Sequence, residues 1–186
     1  EYKKSRLITG KNLINDLRKK PIAFVIGADQ SGKTGLAKTV LKDLVNLGDV
    51  PIMIDGAKLP PQSSKYRSLV NELCSEQYGI ASDTRLANTP LEKKVIIVDN
   101  YHYSPKAARR EHRILEMLNT LCSRIIVFCK DSALSPADLA TFAIDSRFSI
   151  SVINTLPFAK DAQRELVHKW LMLDSELALS PEKFAQ

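Results

Sequence analysis

The sequence predicts an α/β fold in which a mainly parallel, five-stranded sheet lies between two layers of helices. Five apolar runs have the length and the β-branched composition of strands. Helix-like segments, in which apolar residues recur at three- and four-residue spacing, separate these runs. Such alternation is typical of a parallel sheet that is covered on both faces.

The five predicted strands are apolar along most of their length, as burial on both faces of a sheet requires. The third contains the continuous apolar run Val95–Val98. In chain order the predicted strands are Ile22–Gly27, Val50–Asp55, Val95–Asp99, Arg124–Phe128 and Phe148–Ile153.

The predicted helices lie between and around these strands. The helix that follows the first strand ends before Gly48, a residue suited to the left-handed conformation that closes many helices. Segments 57–64, with two prolines, and 79–90 are predicted loops. The predicted helices are Leu36–Leu47, Tyr66–Tyr78, Lys106–Cys122 and Pro136–Ile144, with two more around Lys11–Lys20 and Lys160–Leu173.

The chain has 186 residues, of which 44% are hydrophobic, and this is enough for one substantial core. We expect an N-terminal helical lead-in over residues 1–20, a core over residues 21–158 and the start of a following helical domain over residues 159–186. Because the sequence begins with Glu1 rather than Met, we expect it to be part of a longer polypeptide.

A phosphate-binding motif, G-x-x-x-x-G-K-T, connects the first strand to the helix after it. Its glycines let the backbone N–H groups approach phosphate oxygens, Lys33 reaches the β- and γ-phosphates, and the Thr34 hydroxyl can ligate Mg²⁺. The helix adds its positive dipole end. We therefore predict a three-layer P-loop NTPase core. The predicted nucleotide-binding residues are Gly27, Ala28, Asp29, Gln30, Ser31, Gly32, Lys33, Thr34 and Gly35.

A second motif ends the third predicted strand with a carboxylate, the Walker B pattern. At that position Asp99 is predicted to bind or orient the Mg²⁺ that Thr34 also holds. The next residue is Asn100, whose amide can orient water but cannot act as a general base. We therefore predict slow or conditional hydrolysis with Lys33, Asp99 and Asn100 as the catalytic residues, although Asn100 could equally begin a turn.

Three residues follow the fourth predicted strand and could sense the nucleotide if that strand neighbours the first. They are Lys130, Asp131 and Ser132. An ordinary strand-to-helix loop, capped by Asp131 or Ser132, is the alternative. A similar choice applies to His102, which follows the Walker B strand closely enough to approach the site but also fits a surface turn.

Composition makes some classes of function less favoured. The net charge of +6 is dispersed, and the densest basic cluster has no interleaved aromatic residues, so binding to nucleic acid is not favoured. Neither a membrane-length apolar run nor the apolar core of a signal peptide is present. Three cysteines without metal-ligand spacing suit a reducing compartment, and we expect a cytoplasmic protein.

The tetrapeptide that confers guanine specificity is absent, so ATP is the expected nucleotide. Besides the phosphate loop, the segments that carry a family resemblance are Pro51–Gly56, Glu76–Tyr78, Ile96–Tyr101, Leu156–Phe158 and Arg164–Leu171. They resemble the STAND class of signal-transduction P-loop NTPases, and most closely the NACHT-like bacterial modules fused to metallophosphoesterase-type effectors.

The resemblance implies a switch in which ATP binding drives self-association, while effector and sensor domains outside these 186 residues deliver the output, often in defence against phage. The ligands implied are ATP, ADP and Mg²⁺. Asn100 stands where the family usually has an acid, which agrees with weak turnover. Alternatives are a small-molecule or nucleotide kinase, an interaction domain with a structural nucleotide, and a DNA motor.

Overall fold

Five parallel strands form one sheet in the order β2-β3-β4-β1-β5. The computed structural model describes residues 10–79, 86–104, 111–134, 139 and 149–156. The strands are β1 (Ile22–Gly27), β2 (Val50–Asp55), β3 (Lys94–Asp99), β4 (Arg124–Lys130) and β5 (Ile150–Asn154). The longer helices of the described residues are α1 (Gly10–Leu17), α2 (Lys33–Asn46), α3 (Tyr66–Tyr78) and α4 (Glu111–Asn119).

All four strand pairings in this sheet are parallel, which confirms the predicted fold class. Each strand begins and ends within two residues of its predicted bounds. The predicted helices Pro136–Ile144 and Lys160–Leu173 lie outside the described residues, apart from residue 139.

Helix ends differ more from the prediction. Helix α2 begins at Lys33, three residues earlier than expected, because the last residues of the phosphate motif belong to its first turn. Helix α1 ends at Leu17 rather than Lys20, in accord with the bias against helix just before Pro21. Helix α4 ends at Asn119, three residues before the predicted end at Cys122. The N–H groups of Thr120 and Leu121 each donate to the carbonyl three residues earlier in the chain, which is the bonding of a tight turn rather than of an α-helix.

The two faces of the sheet form two separate hydrophobic clusters, and β1 contributes to both. Ile22, Phe24 and Ile26 pack on the face covered by α3 and α4, whereas Ala23 and Val25 pack on the face covered by α1 and α2. Helices therefore cover both faces, as predicted. The three cysteines are free and buried, and burial raises the pKa of the Cys122 thiol to about 12.

The C-terminal end of α2 has the predicted glycine cap. Gly48 has a φ of 76°. Its N–H donates to the Val45 carbonyl at 2.9 Å, and the Asp49 N–H donates to the Leu44 carbonyl at 3.0 Å. This pair of bonds is a Schellman motif, which satisfies carbonyls that the helix itself cannot. The motif closes α2 shortly before β2 begins.

The contacts divide the chain into two compact units, Glu1–Thr155 and Leu156–Gln186. The predicted domain boundary after residue 158 stays a prediction, because residues 157–186 lie outside the described part. Within that part, no helix has the length and apolar character needed to cross a membrane.

The edge strand β2 is protected by side chains from the end of α3. The Gln77 amide accepts from the Met53 N–H at 3.2 Å and donates to the Met53 carbonyl at 2.8 Å. The Tyr78 hydroxyl donates to the Pro51 carbonyl at 2.6 Å, and burial raises the pKa of Tyr78 to about 12. These bonds occupy backbone groups that could otherwise pair with another chain.

Gln77→Ala should lower the free energy of unfolding by about 1 kcal/mol, because two hydrogen bonds to the Met53 backbone are lost. Urea unfolding measures this loss. Glu76→Ala, at the neighbouring exposed position, is the control and should change stability by less than about 0.5 kcal/mol. Equal stability of the two variants would contradict a role for Gln77 at the sheet edge.

Candidate nucleotide site

The phosphate loop turns tightly between β1 and α2. Two of its residues have left-handed backbone conformations, Gln30 at a φ of 57° and Gly32 at 78°. The Ser31 N–H donates to the Ala28 carbonyl at 3.3 Å. Gly32 caps α2 without any side-chain hydrogen bond to the helix, so the first N–H groups of the helix are not occupied by a capping side chain. Such an end attracts anions.

The Lys33 ammonium is enclosed by the loop that precedes it. It donates to the carbonyls of Gly27 at 3.0 Å and Ala28 at 2.5 Å, and to the Ser31 hydroxyl at 3.2 Å. These are neutral acceptors on the loop itself. The ammonium is therefore held at the centre of the loop, where phosphate oxygens would compete for the same donor.

Thr155, which directly follows β5, supports the loop and was missed by sequence reasoning. Its N–H donates to the Ile26 carbonyl at 2.7 Å, and its hydroxyl lies 3.1 Å from the Ser31 hydroxyl. A Cβ atom added to Gly27 would lie 1.8 Å from the Thr155 Oγ1. Gly27 therefore lets Thr155 approach the loop, a role that depends on β5 lying beside β1.

Gly27→Ala should disturb the loop because the new methyl group collides with Thr155, and we expect a loss of about 1–3 kcal/mol in stability. Gly35→Ala is the matched control in the first turn of α2, where an added Cβ meets nothing within 4 Å. It should leave stability unchanged or raise it by up to about 1 kcal/mol. Chemical unfolding of both variants checks the difference, and a harmless Gly27→Ala would contradict the close packing.

Strand β4 lies between β1 and β3, which makes its end part of the site. Lys130 pairs in register with Gly27, and its ammonium bonds the Asp29 carboxylate at 2.8 Å. This hydrogen bond is the main reason why the pKa of Asp29 is lowered and the pKa of Lys130 is raised. Asp131 instead accepts from the Ser132 N–H at 2.8 Å, as expected of a loop cap.

The Walker B strand ends in a sharp turn. Asp99 is buried, and its Oδ1 accepts the Asn100 N–H at 2.9 Å. Asn100 has a φ of 53°, a conformation that asparagine tolerates better than most residues, and it precedes the short helical turn Tyr101–Tyr103. A Cβ atom on Gly56 would lie 2.4 Å from the Asn100 carbonyl oxygen, so the close approach of these backbones requires glycine there.

Two cavities meet at Asn100. The first, of about 300 Å³, is formed by Asp29–Gly35 together with Asn100, His102, Tyr103 and Lys130. The second, of about 580 Å³, contains Thr34, Asp55, Asp99 and Asn100 in its walls, with apolar residues of α2, α3 and β2. The fold therefore brings the predicted residues Asp29–Gly35, Asp99 and Asn100 together, and adds Lys130 and His102.

His102 lies in the short helical turn after the Walker B strand and also contributes to the wall of the first cavity. Its ring lies 4.0 Å from that of Tyr103. Among the described residues neither buried ring nitrogen has a hydrogen-bond partner. Burial, followed by the charges of Lys130 and Lys33, lowers the pKa of His102, against the weaker opposing effect of Asp29 and Asp99.

His102→Gln should make the protein less sensitive to acid. The unfolded chain binds a proton at His102 more readily than the folded one, so wild-type stability falls as the pH drops below about 6.5. The variant lacks this contribution. Urea unfolding at about pH 7.5 and about pH 5.5, on either side of the ordinary histidine pKa, compares the two losses. If the wild type and His102→Gln lose the same free energy of unfolding between these two pH values, the lowered pKa of His102 in the folded protein is contradicted.

Comparison with solved structures identifies the fold as that of P-loop NTPases. A point variant of RuvB from Thermotoga maritima gives a TM-score of 0.51 at 14% sequence identity, over 89% of this chain and 50% of that chain. PCH-2 of C. elegans gives 0.50 at 15% identity, over 89% and 43%. The chain thus spans half or less of the length of these two structures. No family model and no curated protein sequence matches it.

Proposed function

We propose that this chain is an ATP-binding signal-transduction switch module with slow or conditional ATP hydrolysis. The observation that carries the proposal is the enclosure of the Lys33 ammonium by the carbonyls of Gly27 and Ala28, at the N-terminus of α2. A lysine on a flexible side chain, uncapped helix N–H groups and a glycine-lined turn are the groups that bind a chain of phosphates.

In this proposal the phosphates replace the loop's own oxygens as partners of Lys33. A charge-assisted bond to a phosphate oxygen is shorter and stronger than a bond to a neutral carbonyl. The exchange therefore favours the bound state while the loop keeps its shape through the contact between Ser31 and Thr155. Lys130, at the end of β4, supplies a second cation to the same cavity.

The residues present fit a magnesium ion. Thr34 and Asp99 share the wall of one cavity, and hydroxyl and carboxylate oxygens are ligands that Mg²⁺ prefers. The Asn100 N–H orients the Asp99 carboxylate. A magnesium ion held by Thr34 and Asp99 would reduce the negative charge of the bound phosphates.

Weak hydrolysis follows from the side chain after Asp99. An amide at position 100 can hold a water molecule but cannot take its proton. The carboxylate beside Asp99 in the sheet register is that of Asp55, and its Oδ1 already accepts the Ala57 N–H at 3.0 Å. Binding and release of ATP, rather than fast turnover, would then control the state of the module.

The narrower assignment to NACHT-like STAND modules rests on the sequence resemblance of segments such as Pro51–Gly56 and Ile96–Tyr101. It includes ATP-dependent self-association and a role in defence signalling. Sedimentation of the full-length protein with ATP, and separately with ADP, tests it. Assembly that requires ATP supports the assignment, and identical sedimentation in both nucleotides contradicts it.

Lys33→Ala should weaken ATP binding by about 100-fold, because a charge-assisted contact to phosphate is lost and such contacts contribute about 1.5–3 kcal/mol. Lys38→Ala removes the same charge from an exposed position of α2 and is the control. Competition with a fluorescent ATP analogue measures both affinities. Unchanged ATP affinity in Lys33→Ala would overturn the proposed function.

Asp99→Asn should remove most of the effect of Mg²⁺ on ATP affinity, because an amide replaces the carboxylate ligand. The same competition assay, run with Mg²⁺ and with EDTA, measures that effect. A variant that retains the full magnesium dependence of the wild type would exclude Asp99 as the ligand.

A further inference from the structure

The ion pair between Asp29 and Lys130 brings a carboxylate into a loop whose predicted ligand is an anion. The two charged groups lie 2.8 Å apart, on side chains that are 70% and 25% exposed, respectively. Both residues contribute to the first cavity, with Lys33 and Asn100. Strand register places Lys130 beside Gly27, two residues before Asp29, and so brings the two charged side chains within reach of each other.

We propose that Asp29 restrains ATP binding by holding Lys130, and that the pair sets how strongly the site prefers ATP to ADP. The inference rests on the proposed function and deepens it. Asp29 acts as a competitor of the terminal phosphate for the Lys130 ammonium. The site therefore binds ATP only when the γ-phosphate replaces Asp29 as the partner of the Lys130 ammonium.

The position of the pair points to the γ-phosphate. In a phosphate loop the lysine reaches the β- and γ-phosphates, and the terminal phosphate lies towards the Walker B carboxylate. Here the end of β4 lies between the loop and Asp99, because β4 separates β1 from β3. Lys130 is thus at the γ end of the expected phosphate chain, whereas an ADP would end nearer Lys33.

Charge explains why the pair should distinguish the two nucleotides. While Asp29 neutralises Lys130, Lys33 is the uncompensated cation among the charged residues of the first cavity. ADP meets a neutral pair and is little affected. ATP has to separate the pair and then accept a carboxylate near its terminal phosphate, so its binding carries a cost that ADP avoids.

The test is a set of variants of the full chain: Asp29→Asn, Lys130→Met and the double variant, each titrated with Mg-ATP and Mg-ADP at low and high salt. Asp29→Asn should tighten ATP binding about fivefold, the ratio that one unit charge at about 4 Å produces in water. ADP affinity should change less than about twofold, since the ADP phosphates end nearer Lys33 and lie farther from the altered charge. Lys130→Met should weaken ATP binding, and added salt should reduce every difference.

Controls keep the result interpretable. Asp43→Asn makes the same chemical change about 15 Å along α2 from Lys33 and should leave both affinities unchanged. Asp29→Ser is a second variant with the same loss of charge, and thermal unfolding verifies that each protein folds. The inference is overturned if Asp29→Asn and Asp29→Ser bind ATP like the wild type, or if ATP and ADP shift equally.

The same titrations separate this inference from the proposed function. A wild type that binds neither nucleotide contradicts the switch itself. A wild type that binds ATP, with Asp29 variants that keep its ATP-to-ADP ratio, contradicts only the restraining role of Asp29.

Discussion

The parallel pairing of β1 with a strand on each side determines the geometry of the whole site. Every residue of β1 is buried, and its backbone groups bond to β4 on one side and β5 on the other. Its carboxyl end therefore emerges between Lys130 and Thr155. Lys130, at the end of β4, adds a positive charge beside the phosphate loop. Thr155, after β5, packs against Gly27, the first glycine of the loop.

This arrangement makes the electrostatics of the site depend on three strands. Lys33 is the first residue of α2, which follows β1, whereas Lys130 is at the end of β4 and Asp99 is at the end of β3. Asp29 and His102 modify these charges, one as the partner of Lys130 and the other as a ring whose pKa is lowered by its burial and by nearby lysines. In the proposed function such a site binds a triphosphate in a regulated way rather than hydrolysing it rapidly, because the side chain at position 100 cannot accept a proton.

Local sequence patterns predicted most of the fold. Strands such as Ile22–Gly27 and Val50–Asp55, and the helix Tyr66–Tyr78, have bounds that composition and periodicity indicate directly. The helix cap at Gly48 and the phosphate motif could also be predicted from the sequence, since their roles depend on residues that are adjacent in the chain. These features require no knowledge of which strands are neighbours.

Contacts between distant segments could not be predicted in the same way. The approach of Thr155 to Gly27, and of Lys130 to Asp29, follows from the strand order β4-β1-β5, which spacing along the chain does not encode. The bonds of Gln77 to the edge strand β2 likewise require the strand order. Sequence reasoning named Lys130 as one of three candidate sensors. The structure adds its ion pair with Asp29 and its place in the wall of the first cavity, and its role as a sensor stays a prediction.

The proposed function depends most directly on whether the loop from Gly27 to Thr34 binds ATP with magnesium. Calorimetric titration of the wild-type chain with ATP, ADP and GTP, each with and without Mg²⁺, measures this. We predict one ATP site per chain, a higher affinity for ATP than for GTP, and weaker ATP binding when Mg²⁺ is removed. Absence of any heat of ATP binding at millimolar nucleotide, in a protein shown to be folded, would contradict ATP binding by this loop.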